Sequence, residues 1–291
     1  MKAQTLAISV PNYGCNKNCP YCVSKMTGYL KSNESLFLDN ISKVLYFAKT
    51  AQVSNIIFTS KGEIFSSYKS RILFLTIFDY IEAIKQFPLE VQTNGKFILF
   101  QKNTHDEDNA FSIIMNEYFV EPTINTIAIS IDKLEDIKQY KSIIEQYPRF
   151  IWRATVNITD MISMNTPFEI CKEVYNTGFR QISFREVTIP NVGTVNTPES
   201  INAKEWIIKH VNTVEPVKEF KKELDEYIHS FGRIVRKLPY GSVLYDIEGL
   251  SLTYFPYCVQ DSCGENDIRS LIYQEDGHLY TSWNSKASII F

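Results

Sequence analysis

Strand-like and helix-like segments alternate six times over the first two thirds of this 291-residue chain, and that rhythm constrains the fold more than any other feature of the sequence. Apolar, β-branched runs at residues 5–10 (TLAISV), 53–59 (VSNIIFT), 89–92, 126–131 (TIAISI), 151–158 (IWRATVNI) and 181–187 (QISFREV) read as strands. Between them, apolar residues recur at helical spacing over 36–51, 71–86, 110–119, 134–146 and 167–176. Gly178 follows the last of these, where a helix commonly ends on a glycine. Parallel strands need a long crossover to return, so β-α units in this order predict a parallel sheet, doubly wound or curled into a barrel.

The rhythm stops after residue 187. Residues 189–200 read as a loop, and two polar helices follow with a break at Pro216. Residues 231–291 are richer in Gly, Tyr and short alternating runs, and 267–273 and 278–283 flank Gln274-Glu275-Asp276-Gly277, a hairpin signal. No repeat or Gly/Ser linker separates this end, which predicts a compact appendage rather than a free second domain. With 44% hydrophobic and 22% charged residues the chain has a globular composition. Its 30 basic and 33 acidic residues leave a net charge of -3, which argues against generic nucleic-acid binding. No apolar run is long enough to span a bilayer, and the first residues lack the apolar stretch of a secretory signal, so a cytoplasmic location is expected.

Six cysteines are too few and too clustered for a secreted disulfide scaffold. Three of them lie in Cys15-Asn16-Lys17-Asn18-Cys19-Pro20-Tyr21-Cys22, a C-x3-C-x2-C spacing directly after the first strand. In a parallel α/β architecture that is the carboxyl end of a strand, where ligands bind. Three thiolates on one short loop can hold three irons of a [4Fe–4S] cubane, which normally takes four cysteines. No fourth Cys or His lies nearby, the closest histidine being His105, so the fourth iron would stay open to an outside ligand. A zinc site would need a fourth ligand, and a disulfide would leave one thiol odd; both stand as alternatives.

With Tyr21 before its last cysteine, this motif resembles that of the radical S-adenosylmethionine (radical SAM) enzymes, and the resemblance covers roughly residues 1–190. It implies an α/β fold with a partial (β/α)6 TIM-type barrel over 1–190, a helical connection over 191–230 and a small C-terminal α+β capping appendage over 231–291. It also implies one [4Fe–4S] cluster on Cys15, Cys19 and Cys22, whose open iron is chelated by S-adenosyl-L-methionine (SAM). Reductive cleavage of SAM then yields methionine and a 5′-deoxyadenosyl radical that abstracts hydrogen from a substrate. An electron donor such as flavodoxin or ferredoxin is implied as a partner.

The same resemblance assigns further residues. Lys61-Gly62-Glu63 stands where the family has Gly-Gly-Glu, so Gly62 and Glu63 would meet the SAM ammonium. Lysine at the first position would cost about 1–2 kcal/mol if the turn needs a positive φ. Asn94, in Thr93-Asn94-Gly95, matches the loop after the third strand. Ser130 and Asp132 would contact the SAM ribose or methionine, although Asp132 reads equally as a helix N-cap. Arg153 and Asn157, four apart on one strand face, would meet the SAM carboxylate and ribose. The backbone from Phe184 to Val187 would contact adenine, and one of Arg185 and Glu186 would face the substrate. Tyr21 would stack near adenine or shield the cluster, and Cys171 reads as a small buried hydrophobe.

Near the far end, Cys258 and Cys263 precede the hairpin. This region resembles, in degenerate form, the auxiliary-cluster tail of the GTP 3′,8-cyclase of molybdenum-cofactor biosynthesis. The spacing departs from C-x2-C, and Ser282-Trp283-Asn284 stands where a third cysteine belongs. A second cluster, a redox dithiol, a hydrogen-atom donor and a pair of inert thiols are the readings of the pair. Arg269, Tyr273, His278, Tyr280 and Trp283 are the candidate substrate contacts of the appendage. The function implied is a radical SAM enzyme acting on a small molecule, nucleotide-like or otherwise. The alternatives are a peptide-modifying radical SAM enzyme and a non-catalytic or zinc-binding barrel.

Overall fold

A computed structural model describes residues 2–11, 14–84, 87–101, 124–191, 193–238, 242–255 and 268–291. In chain order the elements begin with β1 (Ala3–Ser9), α1 (Val23–Thr27), α2 (Glu34–Thr50), β2 (Asn55–Thr59), α3 (Tyr68–Ile84), β3 (Leu89–Thr93) and α4 (Lys96–Gln101). They continue with β4 (Ile124–Ile131), α5 (Leu134–Lys138), α6 (Lys141–Gln146), β5 (Ile151–Ile158), α7 (Pro167–Thr177) and β6 (Gln181–Glu186). After these come α8 (Pro198–Ile207), a π-helical turn (Ile208–Asn212) and α9 (Glu215–Phe231). The last strands are β7 (Arg233–Lys237), β8 (Val243–Ile247), β9 (Leu250–Phe255), β10 (Ile268–Tyr273) and β11 (Leu279–Tyr280). The chain is therefore α/β, with mostly parallel strands. It divides into one unit of Met1–Asn18, Thr27–Ile127 and Cys263–Phe291 and another of Cys19–Met26 and Ala128–Ser262.

In the first unit the strand order is β11-β10-β1-β2-β3. β10, β1, β2 and β3 run parallel, and β11 returns antiparallel to β10. β1 is central and its Leu6 and Ile8 are wholly buried. Helix α2 begins where the Asn33 side chain accepts from Leu36 N at 3.2 Å, a capping bond worth about 1 kcal/mol. Its buried stripe, Phe37, Ile41, Val44, Leu45 and Ala48, follows the helical period.

In the second unit the order is β4-β5-β6-β9-β8-β7. β5, β6 and β9 are parallel, while β9, β8 and β7 form an antiparallel meander. Helix α7 carries a capping box between Thr166 and Glu169 and ends on Gly178 at φ 108°, the left-handed C-cap expected there. The helix expected over 134–146 is two short helices, α5 and α6. Ile137, Tyr140, Ile143, Ile144 and Tyr147 are all buried, so the apolar spacing runs through the break and hides it. Pro216 lies in the first turn of α9, where no backbone N–H is needed, and the break precedes it. The helix expected at 110–119 lies outside the described residues. Among the described residues no helix is long and apolar enough to cross a membrane.

Strands from residues 231–291 join the sheets of both units. β9 extends the sheet of the second unit beside β6, and β10 lies beside β1 in the first. An alternating strand pattern shows that a strand exists and leaves its partner open, which is why these pairings were not expected. The hairpin itself is present: Ile272 pairs with Tyr280 and Tyr273 with Leu279. Tyr273 and Tyr280, expected as substrate contacts, are 0% and 5% exposed and belong to the core. Tyr273 stacks on Phe37 with ring centroids 4.4 Å apart, and its hydroxyl donates to the Phe37 carbonyl. The hairpin turn docks on the start of α2. Asn33 N donates to Glu275 O at 3.0 Å, and Asn40 Nδ2 donates to Gly277 O at 2.9 Å. Gly277 has φ 83°, and a Cβ there would lie 2.9 Å from the Leu36 and Phe37 backbone. Gly277→Ala is thus expected to lower stability by about 2 kcal/mol in urea denaturation, from the backbone conformation and the clash together.

Candidate functional site

In the first unit the loops after β1, β2 and β3 are tied through one residue, Glu63. Glu63 is 3% exposed. Its Oε1 accepts from Thr93 Oγ1 at 2.6 Å and from Phe65 N at 3.3 Å, and its Oε2 accepts from Asn94 N at 2.6 Å. Glu63 N donates to Gly14 O at 3.0 Å, and Ser66 Oγ donates to the same carbonyl at 3.0 Å. Burial raises the Glu63 pKa above the usual carboxylate range, against the pull of Thr93, Asn94 and Phe65. Asn94 carries the connection onward. Its Nδ2 donates to Asn16 Oδ1 at 2.8 Å and reaches Cys15 Sγ at 3.7 Å, while Lys96 Nζ donates to Asn16 O at 3.0 Å. Glu63 therefore holds the Asn94 loop in place.

Gly62 N donates to Ser60 Oγ at 3.2 Å. Lys61 carries no positive φ; among described non-glycine residues that conformation occurs at Asn18, Gln52 and Glu248. The lysine therefore sits without the strain its glycine-to-lysine departure suggested. Its Nζ donates to Gly28 O at 3.2 Å, and burial pulls its pKa down against the opposing effect of Glu275 and Asp276.

In the second unit Cys19 and Cys22 form the turn that opens α1. Cys22 N donates to Cys19 O at 3.3 Å, Lys25 Nζ donates to Cys19 O at 2.9 Å, and Lys25 N donates to Cys22 O at 3.1 Å. Tyr21 OH donates to Asp132 Oδ1. Asn157 Nδ2 donates to that same Oδ1 at 3.2 Å and to Tyr21 OH at 3.3 Å. Burial foremost, then the Asp132 charge, raises the Tyr21 pKa, so the phenol stays protonated as a donor. Asp132 is 8% exposed and is not the N-cap of α5, a position Lys133 takes.

Three residues join this group that the sequence did not suggest. The Tyr21 ring lies 5.2 Å from that of Trp206, and Trp206 stacks on His210 at 4.6 Å and 16°. His210 Nδ1 is 2.7 Å from Asp160 Oδ2, and Asp160 N donates to His210 O at 3.2 Å. Trp206 and His210 are four apart, across the start of the π-helical turn. π turns often mark functional sites, but they leave no periodic signal in sequence.

Side chains of β5, β6 and β9 line up in register. Asn157 pairs with Arg185 and Arg185 with Phe255. Thr155, Ser183 and Thr253 form the next rung, and Arg153, Gln181 and Ser251 the third. Arg153 Nε donates to Gln181 Oε1 at 2.8 Å. That places Arg153 near the start of β5, about 13 Å along the strand from Asn157, away from the strand ends where ligands bind. Arg185 shares the Asn157 face. Glu186 takes the other, where its carboxylate accepts from Lys221 Nζ at 2.6 Å and Tyr254 OH at 2.8 Å. Phe184 is wholly buried against Phe220, Val187 is 8% exposed, and Ser130 is half-buried on β4, two residues before Asp132.

Cys15 is exposed, Cys19 and Cys22 are half-buried, and none of the three is in a disulfide. Cys171 is 3% exposed, as expected, and burial pushes its thiol pKa up to about 12. Cys258 and Cys263 lie outside the described residues. Among the described residues, no three His, Cys, Asp or Glu side chains form a group that could hold a metal ion. The chain matches no family model and no curated protein.

Glu63→Gln replaces a buried acceptor with an amide that meets donors. It is expected to cost about 1–3 kcal/mol in urea denaturation. Between the unfolded and the raised folded pKa of Glu63, the folded chain binds more protons than the unfolded one, so stability falls as pH rises through that interval. That component of the pH profile is expected to vanish in Glu63→Gln.

Proposed function

We propose that this chain is a radical SAM enzyme acting on a small molecule, with its parallel strands arranged as a partial (β/α)6 barrel. The observation that carries the reading is the set of cysteines Cys15, Cys19 and Cys22, none in a disulfide, at C-x3-C-x2-C spacing after β1. Soft thiolates suit iron–sulfur chemistry, and three of them leave one cubane corner for an outside ligand. Each thiolate that holds a cubane binds a different iron, so the ligands need not gather about a single ion. When bound, the [4Fe–4S] cluster and SAM supply an electron and a 5′-deoxyadenosyl radical that removes a hydrogen atom from the substrate.

The chain's own residues position and shield. The Asn94 amide, 3.7 Å from Cys15 Sγ, donates toward the sulfur, the kind of outer contact that tunes a thiolate ligand. Glu63 fixes Asn94 in that place. In the second unit the protonated Tyr21 orients Asp132, and Asn157 bridges both, so the carboxylate is held as an acceptor for ligand hydroxyls. Trp206 packs on the Tyr21 ring and limits water around it. A cytoplasmic flavodoxin or ferredoxin is the class of reductant this reading needs.

Anaerobic reconstitution with iron and sulfide is the test. About four of each per chain are expected, with dithionite-dependent 5′-deoxyadenosine formation that is lost in Cys15→Ala, Cys19→Ala and Cys22→Ala. A wild-type protein that prefers one zinc when offered both metals, and forms no 5′-deoxyadenosine, would overturn the reading.

A further inference from the structure

We infer that the cavity between α7, α9 and the β8–β9 turn is a binding site for a small aromatic molecule that carries both an ammonium and a carboxylate, the chemistry of an aromatic amino acid. The cavity measures about 240 Å3 and lies wholly in the second unit. Its floor is Cys171, Ile247 and Leu250, each at most 5% exposed. Its walls are rings: Phe168 and Tyr175 from α7 and Tyr227 from α9, with the Phe168 and Tyr227 rings 6.4 Å apart and edge to face. Phe168 and Tyr175 are left 54% and 45% exposed around this one cavity, surface that a ligand ring would cover. A protein cavity of about 150 Å3 takes up benzene, so this one has room for a ring and several further atoms. Leu250 opens β9 one residue before the pair of Ser251 with Gln181, so the cavity lies at the amino end of these strands. Asn157 and Asp132 stand at the other end, and the site does not rest on the radical SAM reading.

The interior is neutral and the charges stand at the rim. A side-chain hydrogen bond joins Tyr227 to Cys171. Burial foremost, then the neighbouring Cys171 and Glu248, raises the Tyr227 pKa, so the phenol stays protonated. Lys172 from α7 and Glu248 from the turn line the cavity, and both are exposed. Among the described residues neither has an ion-pair partner, and Lys172 Nζ lies 5.7 Å from the Phe168 ring. The other charges nearby are engaged. Arg180 packs 5.1 Å from the Tyr175 ring, and Asp246 accepts from Arg233 and from Gly249 N, each at 3.1 Å. Glu248 is held at φ 51°, the first of two left-handed residues in a two-residue turn closed by the pair of Ile247 with Leu250. Such a turn favours Asn, Asp or Gly at that position, and residues kept in sparsely populated conformations cluster at ligand clamps. One ammonium, one carboxylate and aromatic walls complement a ring that bears both opposite charges.

Ligand-observed NMR titration of the full chain with L-phenylalanine tests the site. Saturable binding at millimolar concentration is expected. Phenethylamine lacks the carboxylate and 3-phenylpropionate lacks the ammonium, and each is expected to bind roughly threefold or more weakly. L-alanine, which lacks the ring, is expected not to bind. In Glu248→Gln the preference for L-phenylalanine over 3-phenylpropionate is expected to vanish, and in Lys172→Gln its preference over phenethylamine. Both positions are exposed, so neither variant disturbs the core. Lys69→Met, exposed in the first unit, is expected to bind as the wild type does. Wild-type protein that does not bind L-phenylalanine saturably, or that binds L-alanine or uncharged 2-phenylethanol equally well, would refute the site. So would preferences that survive both rim substitutions.

Discussion

One buried carboxylate organises the first unit. Glu63 bonds to the loop after β3 through Thr93 and Asn94, and its own N–H reaches the loop after β1 at Gly14. A carboxylate with so little exposure is tolerated only because its oxygens are occupied by donors. The arrangement fixes Asn94, and Asn94 in turn reaches Cys15 and Asn16. The conformation around the first cysteine thus depends on a side chain 48 residues further along the chain.

The second unit uses a different device. Its parallel strands are two-faced, apolar toward α9 and polar on the other side, where Asn157 and Arg185 stand near the strand ends. Tyr21, between Cys19 and Cys22, is joined to this face through Asp132 and Asn157. A protonated phenol, a carboxylate and an amide satisfy one another there. Such a network, once fully bonded, resists rearrangement in a low-dielectric setting. Trp206, His210 and Asp160 extend the same group outward from the Tyr21 ring.

Much of this was legible in the sequence, because strands and helices leave periodic traces. β5 falls where its apolar run does, and Gly178 ends α7 as its position suggested. Other features left no local trace. The break between α5 and α6 is invisible because buried residues continue through it. The pairings of β9 with β6 and β10 with β1 are long-range choices that a strand pattern does not encode. The site residues divide in the same way. The loop positions of Glu63, Asn94 and Asp132 were readable from the order of strands. That Glu63 serves a loop, that Asp132 serves Tyr21 and that Arg153 serves Gln181 are facts of packing. Trp206 and His210 had no signal at all, since their meaning comes from Tyr21, far away in the chain.

In the proposed reading three thiolates hold a cubane with one iron left for SAM. Electron paramagnetic resonance of the anaerobically reconstituted, reduced protein, recorded with and without SAM, addresses it most directly. A [4Fe–4S]+ signal that changes shape when SAM is added is expected, because in the proposed reading SAM binds the cluster itself. A spectrum that SAM leaves untouched, or no cluster signal from a protein whose thiols are bound to zinc, would contradict it.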